Sequence, residues 1–262
     1  MSVRWLAESH EDGTLAARVG RRGDRLVAEW IGRAHLSVAP DGSDVVFEAD
    51  PDADPVEIDK LRRGAVRLLL AHLAGAIPLH GSAIALDGKA IVFVGASGLG
   101  KSTLAASFCD LAGASLLSDD AVIIERRGDT HHVVAVEERH WLDAASARAL
   151  GRPCEVEAEK TPTVAARCDV RHAPLALVLH LAFVEGEEAR LVHVDGLAAV
   201  GGLLTQLTRF VVDDPTTAKR DLTSLADLVA STRIARLERP RRFDLLRQTV
   251  DVVIAALPGK TS

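Results

Sequence analysis

The chain has 262 residues, of which 48% are hydrophobic and 26% charged, and its formal net charge is −6. That length suits one large domain with at most a small appendage, and the composition excludes a disordered chain. The acidic balance argues against broad nucleic-acid binding, and no apolar run reaches transmembrane length, since His72 and His80 interrupt the nearest one, RLLLAHLAGAIPLH.

In chain order, MSVRWLAESHEDG is polar, without a signal-peptide core, which predicts a cytoplasmic protein. Residues 1 to about 50 read as β, with LVAEWIG, HLSVA and DVVFEA as short strand-like runs and PDGS as a turn. ADPDADP is a hydrophilic break, so we place a small N-terminal β segment packed on the core over 1–53 and the main domain over 54–262. Asp54 with Pro55 signals a helix start. The helix should run to about Ala74, with Ile58, Leu61, Ala65, Leu68, Leu69 and His72 on one side and Arg62, Arg63 and Arg67 on the other, and should pack on the core sheet.

IPLHGSAIALDGKAIVFVG holds two strand-like runs joined by Asp87–Gly88, a strong hairpin signal. A mixed sheet is therefore expected. GASGLGKST follows, with Gly95, four residues, Gly100, Lys101 and Ser102, the spacing of a phosphate-binding P-loop. Its glycines allow amide groups to turn onto an anion, the lysine adds charge at the β- and γ-phosphates, and the serine hydroxyl suits Mg²⁺. Leu104, Phe108 and Leu111 recur at helical spacing, and Gly113 is a helix stop. The N-terminus of that helix would favour a bound phosphate.

SLLSDDAVIIE reads as a strand, and THHVVAVE as its antiparallel partner. Asp119 and Asp120 lie one helix beyond the P-loop, at a spacing that brings paired carboxylates to the same sheet edge. One would hold Mg²⁺ and the other would take a proton from an attacking hydroxyl. His80, in LHGS, returns near residue 95 through the hairpin. Ala144–Leu150 reads as a short helix and EVEAEKTPTVAARCDVRHAP as loop, in which Lys160 is by default a solvated lysine and alternatively one that closes over phosphate. PLALVLHLAF is a buried strand, with ARLVHV as a partner. Gly196–Phe210 and Pro215–Val229 read as helices, RIARLERP as a strand, and Phe243–Leu257 as an amphipathic helix. Lys219 and Arg220 are charged residues at a helix start. His131, His132, His172 and His180 lack metal-ligand spacing, which predicts no zinc. Cys109, Cys154 and Cys168 are isolated and read as reduced packing residues.

The chain has no tyrosine and no asparagine, which excludes the GTPase base-reading motif and the catalytic-loop asparagine of eukaryotic-type protein kinases.

LHGSAIALDGKAIVFVGASGLGKSTLAASF…GASLLSDDAVII resembles the HPr kinase/phosphorylase catalytic domain and its short HPr-kinase-related serine kinases, whose nucleotide core is shared with ATP-dependent phosphoenolpyruvate carboxykinase. The matching elements are His80–Gly81, Gly95 to Ser102 and Asp119–Asp120, within about residues 77 to 125. The resemblance implies an α/β P-loop kinase with a mixed twisted sheet and flanking helices. It implies that Gly95, Ala96, Ser97, Gly98, Leu99, Gly100, Lys101, Ser102 and Thr103 bind ATP. It further implies that Ser102 and Asp119 serve Mg²⁺, that Asp120 is the general base, and that His80 supports the phosphate; the base is alternatively Asp119. The implied partner is a small protein or peptide with an acceptor serine, with no nucleic acid and no membrane, and a homo-oligomer is allowed.

The chain departs from the bifunctional enzyme in two places. The downstream Arg-Gly loop with its metal-binding glutamate is missing, with EERHWLDAASARALG (Glu137 and Glu138) in its stead. Residues 1 to 50 are also too few for the separate N-terminal domain. Both departures point to the kinase-only type, some of whose relatives stand beside pathways for modified ribosomal peptides. The alternatives are a nucleotide-binding scaffold in a peptide-modification pathway and a small-molecule kinase.

Overall fold

The computed structural model describes residues 2–153, 160–209 and 214–257. It divides into two compact units, Met1–Pro78 with Thr208–Thr223 and Leu79–Leu207 with Ser224–Ser262.

The first unit is an antiparallel meander of β1 (Arg4–Glu11), β2 (Thr14–Arg22), β3 (Arg25–Trp30), β4 (Ala34–Val38) and β5 (Val46–Ala49), in that spatial order. Alternation along β3 and β4 puts Leu26, Ala28, Leu36 and Val38 on one face. A helical stretch covers that face: α1 (Pro55–Leu61), a π-turn (Arg62–Val66) and α2 (Arg67–Leu73), which contributes Leu69, beside Val66 of the π-turn. Each such buried leucine or valine is worth about 1.5–3 kcal/mol. Asp54 caps α1 by accepting from the Val56 N–H at 2.9 Å. The ADPDADP break is thus the lead-in to a helix that packs on the N-terminal sheet, and the compact unit takes in the chain as far as Pro78. His72, on the helix's apolar side, is buried because its Nε2 pairs with Asp221 at 2.8 Å.

The second unit contains an eight-stranded mixed sheet. Its elements in chain order are β6 (Ile77–Leu86), β7 (Lys89–Val94), α3 (Lys101–Ala112), β8 (Ser115–Ser118), β9 (Ala121–Arg127), β10 (Thr130–Val134), β11 (Arg139–Leu142), α4 (Ala144–Ala149) and β12 (Thr161–Val164). These are followed by β13 (His172–Phe183), β14 (Arg190–His193), α5 (Gly196–Leu204), α6 (Pro215–Ser231), β15 (Arg233–Arg239), a 3₁₀ turn (Phe243–Leu245) and α7 (Leu246–Ala255). The division between units falls within β6 and α6. The strand order is β10-β9-β6-β7-β13-β15-β14, with β8 also pairing β6 and β10 also pairing β13. β7, β13 and β15 run parallel, while β6–β7 and β14–β15 are antiparallel. Leu104 and Phe108 of α3 pack with Leu246, Val250 and Val253 of α7 against Phe93, Leu179 and Leu237 of the sheet.

The β6–β7 hairpin turns at Asp87–Gly88, both at positive φ, as their dipeptide signal predicts. Four expectations need correction. ARLVHV forms β14, which pairs with β15 and not with the PLALVLHLAF strand β13, because β15 lies between them in the sheet. SLLSDDAVIIE is two strands, because Asp120 takes a left-handed φ of 76° that ends β8 before β9 begins. α5 stops at Leu204, and Leu207 then bridges to Leu79; Phe210 lies outside the described residues. The loop-like stretch contains β12, paired with β11, since four residues including Pro162 show no alternation to read. Cys109 is buried and free, its thiol pushed up to about 12 by burial; Cys168 is half-buried, and Cys154 lies outside the described residues. Among the described residues no helix is long and apolar enough to cross a membrane.

Candidate functional site

β7 ends at Val94, and the chain then bends through the glycine-rich loop into α3. Gly95 has φ 143° and Gly100 has φ 77°, conformations that side chains resist. At Gly100 an added Cβ would lie 2.6 Å from Nη2 of Arg239, so the loop is crowded as well as strained there. Lys101 folds over the loop, and its ammonium donates to the carbonyls of Gly95 at 2.8 Å and Ala96 at 3.1 Å. Burial, then the charge of Lys160, holds its pKa below the ordinary lysine value.

A cavity of about 260 Å³ opens over this loop. Ser97, Gly98, Gly100, Lys101, Ser102 and Thr103 line one side, and His80, Asp120 and Lys160 also face it. The two neighbouring aspartates are placed differently. Asp120 is exposed to the cavity, whereas Asp119 is only 3% exposed and does not line it. Asp119 Oδ1 accepts from Ser82 Oγ at 2.5 Å and Oδ2 from the Trp141 N–H at 2.7 Å, and the Ser102 hydroxyl also donates to it. Burial pushes this carboxyl up to about 6; the three hydrogen bonds oppose that shift, and the nearby Asp120 charge adds to it. Asp119 and Ser102, the two residues expected at Mg²⁺, are thus in direct contact.

His80 Nδ1 lies 3.1 Å from the Asp120 carbonyl, so the ring donates from Nδ1 and leaves Nε2 for another partner. Burial, then the Lys101 charge, lowers its pKa and favours the neutral ring. The Asp120 carboxylate is 3.7 Å from both His80 Nδ1 and Lys160 Nζ. Asp120 is well exposed, so its ion pair with Lys160 is worth roughly 0–1 kcal/mol and orients more than it stabilises.

Several lining residues carry no local sequence signal: Trp141, Phe183, Arg239, Arg241, Arg242 and Phe243. Arg239 is 4% exposed, and burial lowers its pKa to about 10. It donates from Nη2 to the Leu99 carbonyl at 2.9 Å and stacks on Phe183 at 4.7 Å. ERPRRF shows a basic cluster, but only the fold brings that cluster to the loop. Gln206 likewise stands in no motif; its side chain accepts from the Gly95 N–H at 3.3 Å. Glu137 bonds the Trp141 indole at 3.5 Å, and neither Glu137 nor Glu138 lines the cavity. Lys219 and Arg220 do not line it either; Arg220 lies 3.7 Å from Asp221.

No family model matches the chain, and no curated protein matches it. Among solved structures, the HPr(Ser) kinase/phosphatase from Coxiella burnetii is similar with a TM-score of 0.37 and 11% identity, over 68% of this chain and 94% of that one. A likeness of that size assigns no family, and the functional reading rests on this chain's own loop and side chains.

Proposed function

We propose that the protein is a kinase that uses ATP and Mg²⁺ to phosphorylate a serine hydroxyl of a small protein or peptide. The observation that carries this reading is that the glycine-rich loop, with Lys101 and Ser102, and the exposed carboxylate of Asp120 face one cavity.

The donor set fits a metal–triphosphate group. The loop combines positive-φ glycines with a helix N-terminus, Lys101 supplies a partly desolvated cation, and Ser102 with Asp119 offers a hydroxyl and a carboxylate of the hard oxygen type that Mg²⁺ takes. When bound, Mg²⁺ would neutralise phosphate charge. Lys101 counters the charge on the transferring group, and Asp120 accepts the proton of the serine hydroxyl. The serine oxygen forms its bond to the γ-phosphorus as the bond to the β–γ bridging oxygen breaks, and ADP leaves. His80, fixed through Nδ1, turns Nε2 toward a partner other than Asp120, as suits a ring that steadies the phosphoryl oxygens. Lys160, 3.7 Å from the Asp120 carboxylate, adds a second cation to the same cavity.

The test is incubation of the protein with ATP, Mg²⁺ and a library of serine-containing peptides, read by mass. An 80-Da gain mapped to serine is expected. Tight ATP binding with no gain on any peptide or protein acceptor would overturn the kinase reading in favour of a scaffold.

A further inference from the structure

β6 and β7 pair only as far as Gly81 opposite Val94. Beyond that point β7 turns into the glycine-rich loop, and its pairing with β6 supplies no further partners. The residues just after α5 supply the missing partners. The backbone carbonyl of Gln206 accepts from the His80 N–H at 2.8 Å, and its side-chain Oε1 accepts from the Gly95 N–H at 3.3 Å. Its amide nitrogen donates to Thr205 Oγ1 at 3.0 Å, which fixes the side chain so that Oε1 faces the loop. Leu207 continues the contact by bridging to Leu79.

We infer that Gln206 is a positioning residue that sets the entrance of the glycine-rich loop and ties it to the strand carrying His80. The inference rests on the nucleotide reading of that loop. The physical link is the peptide plane before Gly95. Holding its N–H fixes the rotation that gives Gly95 its φ of 143°, and the direction of every later amide in the loop depends on that rotation. There is little slack, because an added Cβ at Gly95 would lie 3.1 Å from Leu99 Cδ1 and 3.3 Å from the Leu181 carbonyl. One residue therefore spans the phosphate side of the site with its side chain and the His80–Asp120 side with its backbone.

Gln206→Met keeps the length and the backbone carbonyl but removes Oε1. Gln206→Glu keeps an acceptor. In ¹⁵N-labelled protein without nucleotide, Gly95 amide exchange should accelerate roughly fivefold to tenfold in the methionine variant, as for one lost hydrogen bond, and return toward wild type in the glutamate variant. With Mg²⁺ and ATP, the methionine variant should show a KM for ATP raised by about the same factor, with kcat within twofold and an unchanged melting temperature. Unchanged Gly95 exchange in Gln206→Met overturns the inference, as does a loss confined to kcat. Failure of wild-type protein to bind ATP would sink the nucleotide reading instead, and the exchange arm would still decide whether Gln206 sets the loop.

Discussion

The backbone N–H of Trp141 donates to Oδ2 of Asp119 at 2.7 Å, so β11 grips a carboxylate whose other oxygen is taken by Ser82. This holds the Asp119 carboxylate buried and fixed and leaves Asp120 as the carboxylate that faces the cavity. Asp119→Asn has two opposing effects on stability. It removes a charge that burial disfavours, and it turns an amide donor toward a site where donors already converge. The fold should therefore change little, while the Mg²⁺ needed for half-maximal transfer rises at least tenfold. A Mg²⁺ titration beside a melting curve checks this; an unchanged Mg²⁺ requirement would remove Asp119 from the metal site.

Lys101→Ala deletes the cation that bridges the Gly95 and Ala96 carbonyls and faces the cavity. ATP affinity should fall by tenfold or more in calorimetry. Equal affinity for wild type and variant would show that the loop does not hold the phosphates.

Gly100→Ala meets two obstacles, a φ of 77° and Nη2 of Arg239 at 2.6 Å from the new Cβ. Strain of that kind costs about 1–3 kcal/mol. ATP binding should weaken accordingly, and adding Arg239→Ala should recover only the steric part. A double-mutant cycle on ATP affinity measures the coupling, and strict additivity would contradict the contact.

His140 is fully buried with neither ring nitrogen hydrogen-bonded, and burial, helped by Arg152, lowers its pKa to about 4. Between about pH 6.5 and 4 the unfolded chain binds a proton that the folded chain refuses, so this residue makes stability fall as pH falls through that window. The full effect is about 3 kcal/mol. Asp119, raised to about 6, acts in the opposite sense, because the folded state holds the extra proton there. His140→Leu leaves Asp119 in place, so its stability relative to wild type should improve steadily from pH 7 to pH 4.5 in urea titrations. A difference that does not vary with pH would show that His140 is not the acid-sensitive group.

The parts of the site that were readable along the chain are those whose chemistry is local. Gly95 to Gly100 form a loop that leads into a helix at Lys101 because the residue types and spacing demand it, Asp87–Gly88 make a tight turn, and Asp54–Pro55 cap a helix. The Asp119–Asp120 pair was visible as a pair, but its division into one buried and one exposed carboxylate depends on Ser82 and Trp141, which are distant in the chain. Arg239, Phe183 and Gln206 reach the loop through strand order and the end of α5, where no periodicity marks them. β8 and β9 look like one strand along the chain because the left-handed Asp120 leaves no trace in a hydrophobic pattern.

The central claim is that phosphoryl leaves ATP for a serine hydroxyl deprotonated by Asp120. The most direct measurement compares phosphoryl transfer to an accepted serine peptide by wild type and Asp120→Asn at saturating Mg²⁺ and ATP, with ATP affinity measured in parallel. The account predicts equal ATP affinity and a transfer rate lower by about 10²- to 10⁴-fold in the variant. Transfer by Asp120→Asn at the wild-type rate would contradict it.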